Sequence, residues 1–349
     1  MKRLRSQMVG LAFLLGSYAP IALASLVIPS IALNSTAQAA VPTKDQPHPS
    51  LQASDFQVSD LQSTIQVIAQ AKQLSATAQK TTPKKNKPQS SKGIIKATLH
   101  PFGKWCLNYQ KLDRDRQQTM EVLARVAGTR DCDLMVTSLA RLKVLDLTNA
   151  GIFDLVPISD LGQLESLVLS RNPIVDLGPI AKLKGLKSLV IRGSRVKELT
   201  PLSGLSELRR VVIEDSRVED ITPLRDLRKL GEVSIAGNPI KDLSPLGSLG
   251  ELTKLNAGRT LVEDLSPLTS LQFLVELRLD RSLVRSLRPI IGLMGLETLV
   301  LNETPLDLAG IADLGVFVNL KRLEVLGIPM KTNPCPKMRS GSVCLYHQS

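Results

Sequence analysis

The chain has 349 residues, of which 43 % are hydrophobic and only 3 % aromatic, so a folded core has to be built from aliphatic side chains. The net charge of +12 is unevenly spread: residues 1–40 carry +3, residues 41–104 carry +6, and residues 105–349 carry +3 from 32 basic and 29 acidic groups. Because both signs are interleaved after residue 104, this part of the chain lacks the one-signed basic surface typical of nucleic-acid-binding proteins.

The N-terminal segment has the pattern of an export signal. Three basic side chains within the first five residues precede an uncharged, mostly apolar stretch at residues 8–33, and Ala37 and Ala39 provide the small residues of a cleavage site. We therefore predict a signal peptide at residues 1–39 and a secreted, periplasmic or cell-envelope location. An uncleaved membrane anchor is the alternative, since about 20 apolar residues suffice to span a bilayer.

Residues 40–100 are rich in lysine and proline. The stretch from Thr81 to Pro88 contains three lysines and two prolines, so it has too little apolar surface to form a core. This composition predicts a disordered linker between the export signal and the folded part of the chain. Solvation of the lysines is the simpler interpretation, and contact with an anionic envelope polymer is the alternative.

A helical cap is predicted at residues 101–141. The spacing from Asp113 to Ala127 indicates one helix, and Gly128 is a typical residue for its C-terminal end. We expect the helix to cover the open edge of the first repeat. Its apolar face is expected to contain Met120, Leu123, Val126 and Ala127. Trp105, the one tryptophan of the chain, is expected to pack rather than to bind a ligand.

The four cysteines form two pairs in the sequence, one on each side of a central region. Cys106 and Cys132 precede the repeats described below, and Cys335 and Cys344 follow them. Four cysteines allow three pairings, of which the two local pairs need the least chain rearrangement. Disulfides at both ends would limit the fraying of terminal repeats. Metal binding is a less favoured alternative, because export favours oxidation of the cysteines.

A period of 22 residues runs through the middle of the chain. Seven prolines share it: Pro157, Pro179, Pro201, Pro223, Pro245, Pro267 and Pro289. Leucines open the copies at the same interval from Leu142 to Leu296, and Leu320 opens a degraded ninth copy. One copy cannot bury its own apolar face, so the core forms only when the copies stack. We predict repeats at residues 142–330 and a C-terminal cap at residues 331–349.

The second copy shows how the side chains divide between interior and surface. Alternation around Leu167 and Leu169 predicts a short strand, and Pro179 predicts a tight turn or a short helix on the return path. The strands of successive copies are then expected to be parallel and about 4.8 Å apart. The residues expected to point inward are Leu164, Leu167, Leu169, Ile174, Leu177, Ile180 and Leu183.

The fifth copy carries the motif Leu230-x-x-Val233-x-Ile235-x-x-Asn238-x-Ile240-x-Asp242-Leu243-x-Pro245-Leu246-x-x-Leu249. This motif resembles the bacterial 22-residue leucine-rich repeat of the internalin type. The segments around both cysteine pairs resemble those of secreted cyanobacterial members. The resemblance implies an α/β solenoid, a right-handed arc with a parallel sheet on its concave side, and partner binding on that side.

Two columns of polar residues repeat with the same period. The asparagine position of the motif is occupied by Ala150, Asn172, Ser194, Ser216, Asn238, Thr260, Ser282 and Thr304. Asparagine satisfies backbone groups inside the turn and a hydroxyl does so in part, whereas alanine cannot. The second column contains Asp154, Asp176, Glu198, Asp220, Asp242, Asp264 and Ser286. These side chains are expected to cap the turn before each proline, and a calcium site is the alternative.

The outward side chains of the strands define a candidate binding face of mixed charge. Its predicted partner-binding residues are Arg171, Arg192, Arg210, Glu214, Glu232, Lys254, Arg259, Glu276, Arg278 and Arg281. Val168, Val190 and Val212 are expected to form a small apolar stripe at its centre. The face has arginines suited to protein contacts and no aromatic ring for stacking on sugars, which favours a protein partner over a carbohydrate.

No motif of a known catalytic or cofactor site occurs in the sequence, and all three histidines lie outside the repeats. We therefore predict a non-catalytic binding module without a cofactor or metal, secreted or tethered to the envelope, that recognises a protein. The alternative is a structural envelope component that binds an anionic wall polymer through its lysine-rich linker.

Overall fold

A computed structural model describes residues 94–330, 333–338 and 340–348. These residues belong to the second of two compact units, Lys87–Ser349. The predicted signal peptide, and the predicted linker up to residue 93, lie outside the described residues. Within the part of the chain that the structure describes, no helix is both long enough and apolar enough to cross a membrane.

Among the described residues, four helices precede the repeats: α1 Ile94–Leu99, α2 Gly103–Leu107, α3 Arg114–Ala127 and α4 Cys132–Leu139, with a 3₁₀ turn at Tyr109–Lys111. The helix predicted up to Ala127 is confirmed. The Asp113 carboxylate accepts a hydrogen bond from the Arg116 N–H at 2.9 Å, and Gly128 ends the helix with a φ of 72°. Asp113 therefore caps the N-terminus of α3, where the helix dipole favours a negative charge.

The expected buried face of α3 is partly wrong. Met120 and Leu123 are buried, but the Val126 side chain is 43 % exposed, and Thr119 is fully buried in its place. The Thr119 hydroxyl donates to the backbone carbonyl of Asp154 in the first repeat at 2.7 Å. Because this hydrogen bond satisfies the hydroxyl, a polar residue lies in the contact between the cap and the repeats.

The helical cap begins with α1, which lies in the segment predicted to be a disordered linker up to residue 100. Ala97 of α1 is 2 % exposed, and its N–H donates to the Asp133 carboxylate of α4 at 2.8 Å. The backbones of α1 and α2 also approach each other closely, since a Cβ on Gly103 of α2 would lie 1.7 Å from the Ala97 carbonyl oxygen. The partner of α1 is thus an element more than 30 residues further on, which local composition does not reveal.

Ten strands form one parallel sheet in chain order. They are β1 Val144–Asp146, β2 Ser166–Val168, β3 Ser188–Arg192, β4 Arg210–Glu214, β5 Glu232–Ser234, β6 Lys254–Asn256, β7 Glu276–Arg278, β8 Thr298–Val300, β9 Arg322–Met330 and β10 Val343–Gln348. In every pair of neighbouring strands from β1–β2 to β7–β8, the paired residues lie 22 positions apart, as Leu145 and Leu167 do. The predicted stacking of parallel rungs is confirmed.

The return paths contain short 3₁₀ helices with the periodic proline near their start. Their bounds are Val156–Asp160, Gly178–Lys182, Thr200–Leu202, Thr222–Leu224, Ser244–Ser248, Ser266–Leu268 and Arg288–Ile290. Proline suits this position because its φ is fixed and its missing N–H has no partner in a first turn. The eighth copy has Ile311 instead, and there an α-helix, α5 Leu308–Asp313, is followed by a 3₁₀ turn at Leu314–Val316.

One continuous aliphatic core fills the solenoid. All seven residues predicted to point inward in the second copy are at most 1 % exposed. Five residues of the asparagine column are also buried, namely Asn172, Asn238, Thr260, Ser282 and Thr304. Asn238 shows the function of this position. The Asn238 amide nitrogen donates to the carbonyls of Ile213 and Ile235, and its oxygen accepts from the Val218 N–H. Buried backbone groups of two neighbouring rungs are satisfied in this way.

A hydroxyl replaces only part of this function, as the sequence predicts. Thr260 and Thr304 each donate one hydrogen bond to the carbonyl three residues earlier, at 2.7 Å. The Ser282 hydroxyl is buried and has no partner among the described residues. The asparagine copies therefore contain the better-satisfied turns.

Disulfide bonds join Cys106 to Cys132 and Cys335 to Cys344, which confirms the local pairing. Cys344 lies in β10, a strand that the sequence analysis does not predict. β10 pairs in parallel with β9 and supplies the last strand of the sheet. The C-terminal cap thus extends the sheet by one strand instead of covering it with a loop alone.

Candidate functional site

The concave face of the sheet consists of the outward side chains of β1 to β9 and the residues that directly follow these strands. Register brings four of the predicted residues into one row, since Arg210 pairs with Glu232, Glu232 with Lys254, and Lys254 with Glu276. Charges of alternating sign therefore lie side by side along the solenoid axis. Directly opposed strand residues are close enough to interact.

Most of these charges are paired within the chain. Arg210 Nε lies 2.8 Å from Glu232 Oε1, and Lys254 Nζ lies 3.7 Å from Glu276 Oε2. Arg278 Nη1 lies 3.9 Å from the other oxygen of Glu276. These groups are partly solvent-exposed, so each pair contributes about 0–1 kcal/mol to stability. A partner can exchange such pairs for its own at little energetic cost.

A second row lies further along the strands. Arg192 Nε donates to Glu214 Oε2 at 2.8 Å, and the Ser234 hydroxyl donates to the other oxygen of Glu214. The predicted apolar stripe is wrong here, because Val190 is 4 % exposed and Val212 is fully buried. Val190 pairs with Val212 across β3 and β4, and Val212 pairs with Ser234 of β5. Water-accessible contacts on this face are therefore mostly polar.

One residue in each turn, one to three positions after the end of its strand, has a left-handed backbone from β1 to β8. Arg171, Asp215, Arg259 and Arg281 have φ values of 58°, 49°, 54° and 54°. Arg259 Nη1 contacts Asp215 Oδ1 at 2.7 Å, although the two residues lie two rungs apart. The rung between them carries Gly237, where a Cβ would lie 2.3 Å from Asp215 Oδ1. The glycine thus leaves the space that this ion pair crosses.

Arg281 makes a forked contact at the C-terminal end of the face. Its Nε and Nη2 donate to the two carboxylate oxygens of Glu303 at 3.0 and 2.7 Å. These hydrogen bonds raise the pKa of Arg281 and lower the pKa of the Glu303 carboxyl group. Both side chains are exposed, so the pair is available to a partner.

The column of carboxylates caps the return turns. The carboxylates of Asp220, Asp242 and Asp264 accept hydrogen bonds from the N–H two residues on at 2.7–2.8 Å. Hydrogen bonds from the following Thr or Ser, first from the hydroxyl and then from the N–H, lower the pKa of all three. This is the predicted capping role. Among the described residues, no group of three or more potential metal ligands is close enough to hold an ion.

An arginine-lined cleft of about 510 Å³ lies at the edge of the sheet where β2 to β4 end. It is lined by Arg171, Asn172, Pro173, Gly193, Ser194, Arg195 and Arg217. Arg171 belongs to the predicted partner-binding residues, whereas Arg195 and Arg217 do not. These two follow the asparagine position by one residue, where other copies have Pro239, Leu261 or Leu283. That break in the column is the signal that could have identified them.

No protein family matches the sequence, and no curated protein is similar to it. Among solved structures, an internalin of Listeria monocytogenes (InlF) matches with 28 % identity and a TM-score of 0.51, over 54 % of this chain and 56 % of that one. Internalin C2 of the same organism matches with 27 % identity and a TM-score of 0.44, over 52 % of this chain and 91 % of that one. A leucine-rich-repeat protein of Leptospira interrogans matches with 21 % identity and a TM-score of 0.43, over 54 % of this chain and 56 % of that one.

The chain spans about half the length of the first internalin. The part that matches has the size of the repeat region, in which ten parallel strands enclose one aliphatic core. This combination shows that the chain folds as a leucine-rich-repeat solenoid with disulfide-bonded ends.

Proposed function

We propose that the chain is a non-catalytic binding module, secreted or tethered to the cell envelope, that recognises a protein partner through its concave face. The observation that carries the proposal is the row of alternating charges on an unbroken parallel sheet. The outward positions of β1 to β8 contain no aromatic ring. Such a surface suits the polar and charged side chains of a protein better than the rings of a sugar.

The disulfides support the proposed location. Both bonds join local cysteines at the ends of the solenoid, and disulfides persist in oxidising compartments outside the cytoplasm. The export signal predicted at residues 1–39 is consistent with this, and the likeness of the flanks to secreted cyanobacterial proteins remains a prediction. Similarity to an internalin adds support for a binding role of the repeats.

Charge reversal at Arg278 and Arg281 tests the proposal. Arg278 approaches Glu276 and Arg281 is forked on Glu303, so R278E/R281E places like charges together on the concave face. We expect the variant to lose a partner that the native chain captures by cross-linking from its own envelope fraction. The matched control is R225E/R228E, which reverses two exposed arginines near the return path of the fourth copy.

The proposal requires that the captured protein is lost with R278E/R281E and retained with R225E/R228E. Circular dichroism and urea unfolding of both variants establish that they are folded. Equal capture by native chain and R278E/R281E would contradict recognition through the concave face. Equal loss with both variants would show that only net charge matters.

A further inference from the structure

The arginine-lined cleft is built by three consecutive rungs. Arg171 follows β2, Gly193 and Arg195 follow β3, and Arg217 follows β4. A volume of about 510 Å³ lies within the range of roughly 300–1,000 Å³ that small-ligand clefts occupy. Three arginines thus line one open cleft at the edge of the concave face.

These arginines differ from the others on the concave face in having no acidic partner. Among the residues that the structure describes, none of Arg171, Arg195 and Arg217 lies within ion-pair distance of a carboxylate. The two carboxylates that end β4 are already engaged, Glu214 by Arg192 and Asp215 by Arg259. Three positive charges therefore line the cleft without an ion-paired carboxylate among the described residues.

The backbone leaves room for a ligand to approach. Gly193 has a left-handed φ of 64°, and the nearest atom to a Cβ built on it is Arg171 Cγ at 4.0 Å. The Ser194 hydroxyl shares a hydrogen bond with the Ser216 hydroxyl at 2.8 Å, which links the rung of β3 to that of β4 beside the cleft. A ligand at this position would lie beside the three arginines and Gly193.

We infer that this cleft binds an acidic polypeptide segment whose carboxylates pair with Arg171, Arg195 and Arg217. Guanidinium groups match carboxylates in planar, bidentate geometry, and clusters of arginines are a recurrent mode of acidic-motif recognition. None of the residues lining the cleft is aromatic, so neither sugar rings nor nucleic-acid bases find a stacking surface. The inference concerns a surface other than the paired rows of the concave face, and it does not depend on them.

A fluorescein-labelled peptide of six glutamates is the probe, with binding to the full chain followed by fluorescence anisotropy at low salt. The variant R171Q/R195Q/R217Q removes the three cleft charges. R225Q/R228Q/R288Q is the matched control, because it removes three exposed arginines that do not line the cleft. We expect the cleft variant to bind at least tenfold more weakly than the native chain and the control to remain within about threefold of it.

Equal affinity of the native chain and the cleft variant, equal loss in the control, or no binding to the native chain would each overturn the assignment. A galacturonic-acid hexamer of the same charge separates the ligand classes, and binding as tight as that of the peptide would overturn the choice of a polypeptide. R225E/R228E changes the net charge by the same amount as the concave-face variant R278E/R281E, and its affinity for the peptide measures the effect of net charge alone. After correction for that effect, R278E/R281E should bind the peptide within about threefold of the native chain. This comparison separates a failure of the cleft from a failure of the proposed concave-face function.

Discussion

The side chain of Asn172 satisfies the backbone of Ala150, the one residue of the asparagine column that cannot do so itself. Asn172 Oδ1 accepts hydrogen bonds from the Ala150 N–H at 3.1 Å and the Ile152 N–H at 3.0 Å. Its amide nitrogen donates to the carbonyls of Leu147 and Leu169. The first turn thus receives from the second copy the hydrogen bonds that its own sequence lacks.

This arrangement predicts that Asn172→Ala is more destabilising than Asn238→Ala. The Asn172 oxygen accepts two backbone N–H groups, whereas that of Asn238 accepts one, from Val218. Since an unsatisfied buried group costs about 1–3 kcal/mol, we expect losses in unfolding free energy of about 3 kcal/mol for N172A and about 2 kcal/mol for N238A. Urea unfolding measures both. Equal losses, or a larger loss for N238A, would show that the bond to Ala150 adds no stability.

Much of the fold follows from the sequence because each repeat position has one environment throughout the array. The aliphatic positions, the proline turns and the parallel register all depend on contacts between residues 22 apart, which the period itself reveals. The sequence does not reveal contacts outside that period. Helix α1 packs on α4 through Ala97 and Asp133, and β10 adds to β9, in segments that lack the repeat.

The candidate site is predictable in its positions but not in its exposure. All ten predicted residues lie on the concave face or directly after its strands, yet most of them are paired with one another. Alternation along β3 and β4 predicts exposed Val190 and Val212, yet both are buried between strands whose neighbouring positions carry ion pairs. Arg195 and Arg217 were missed because their position is occupied by proline or leucine elsewhere in the array.

The two glycines at positions 193 and 237 provide a matched test of the ion pair between Asp215 and Arg259. Both have a left-handed backbone, with φ of 64° and 68°, so alanine costs about 1–2 kcal/mol at either position. Only at Gly237 does the added Cβ also meet the Asp215 carboxylate, at 2.3 Å. We expect G237A to lower the thermal midpoint more than G193A does.

Removing the carboxylate isolates this effect. In a D215A background the clash is absent, so the loss caused by G237A should fall to that of G193A. Thermal unfolding followed by circular dichroism measures all the variants. A G237A effect that is the same with and without Asp215 would mean that the ion pair does not occupy the space above this glycine.

The capping carboxylates predict a loss of stability in acid. Hydrogen bonds in the folded chain lower the pKa of Asp220, Asp242 and Asp264, whereas an unfolded aspartate has a pKa of about 3.9. A lowered folded pKa adds stability above the unfolded value, and this stability is lost as pH falls through the folded value. The variant D220N/D242N/D264N should be less stable than the native chain at pH 7 and approach it as the pH falls below about 4.

Thermal midpoints measured from pH 7 to pH 2 test this expectation. Asp226→Asn serves as the control, because among the described residues the exposed Asp226 carboxylate caps no turn. The difference in thermal midpoint between D226N and the native chain should not follow the pH dependence expected of the triple variant. A difference for the triple variant that stays constant down to pH 2 would exclude a contribution from ionised caps.

The two disulfides should contribute unequally to stability because they close loops of different length. Cys106 and Cys132 are 26 residues apart, and Cys335 and Cys344 are nine apart. Loop-closure entropy gives about 3.5 kcal/mol for the longer loop and about 2.6 kcal/mol for the shorter one. We expect C106A/C132A to lower the unfolding free energy more than C335A/C344A, as measured by urea unfolding without reductant. Dithiothreitol should destabilise the native chain and leave a variant lacking all four cysteines unchanged. A larger loss for C335A/C344A would instead show that anchoring β10 to the sheet outweighs the entropy of the closed loop.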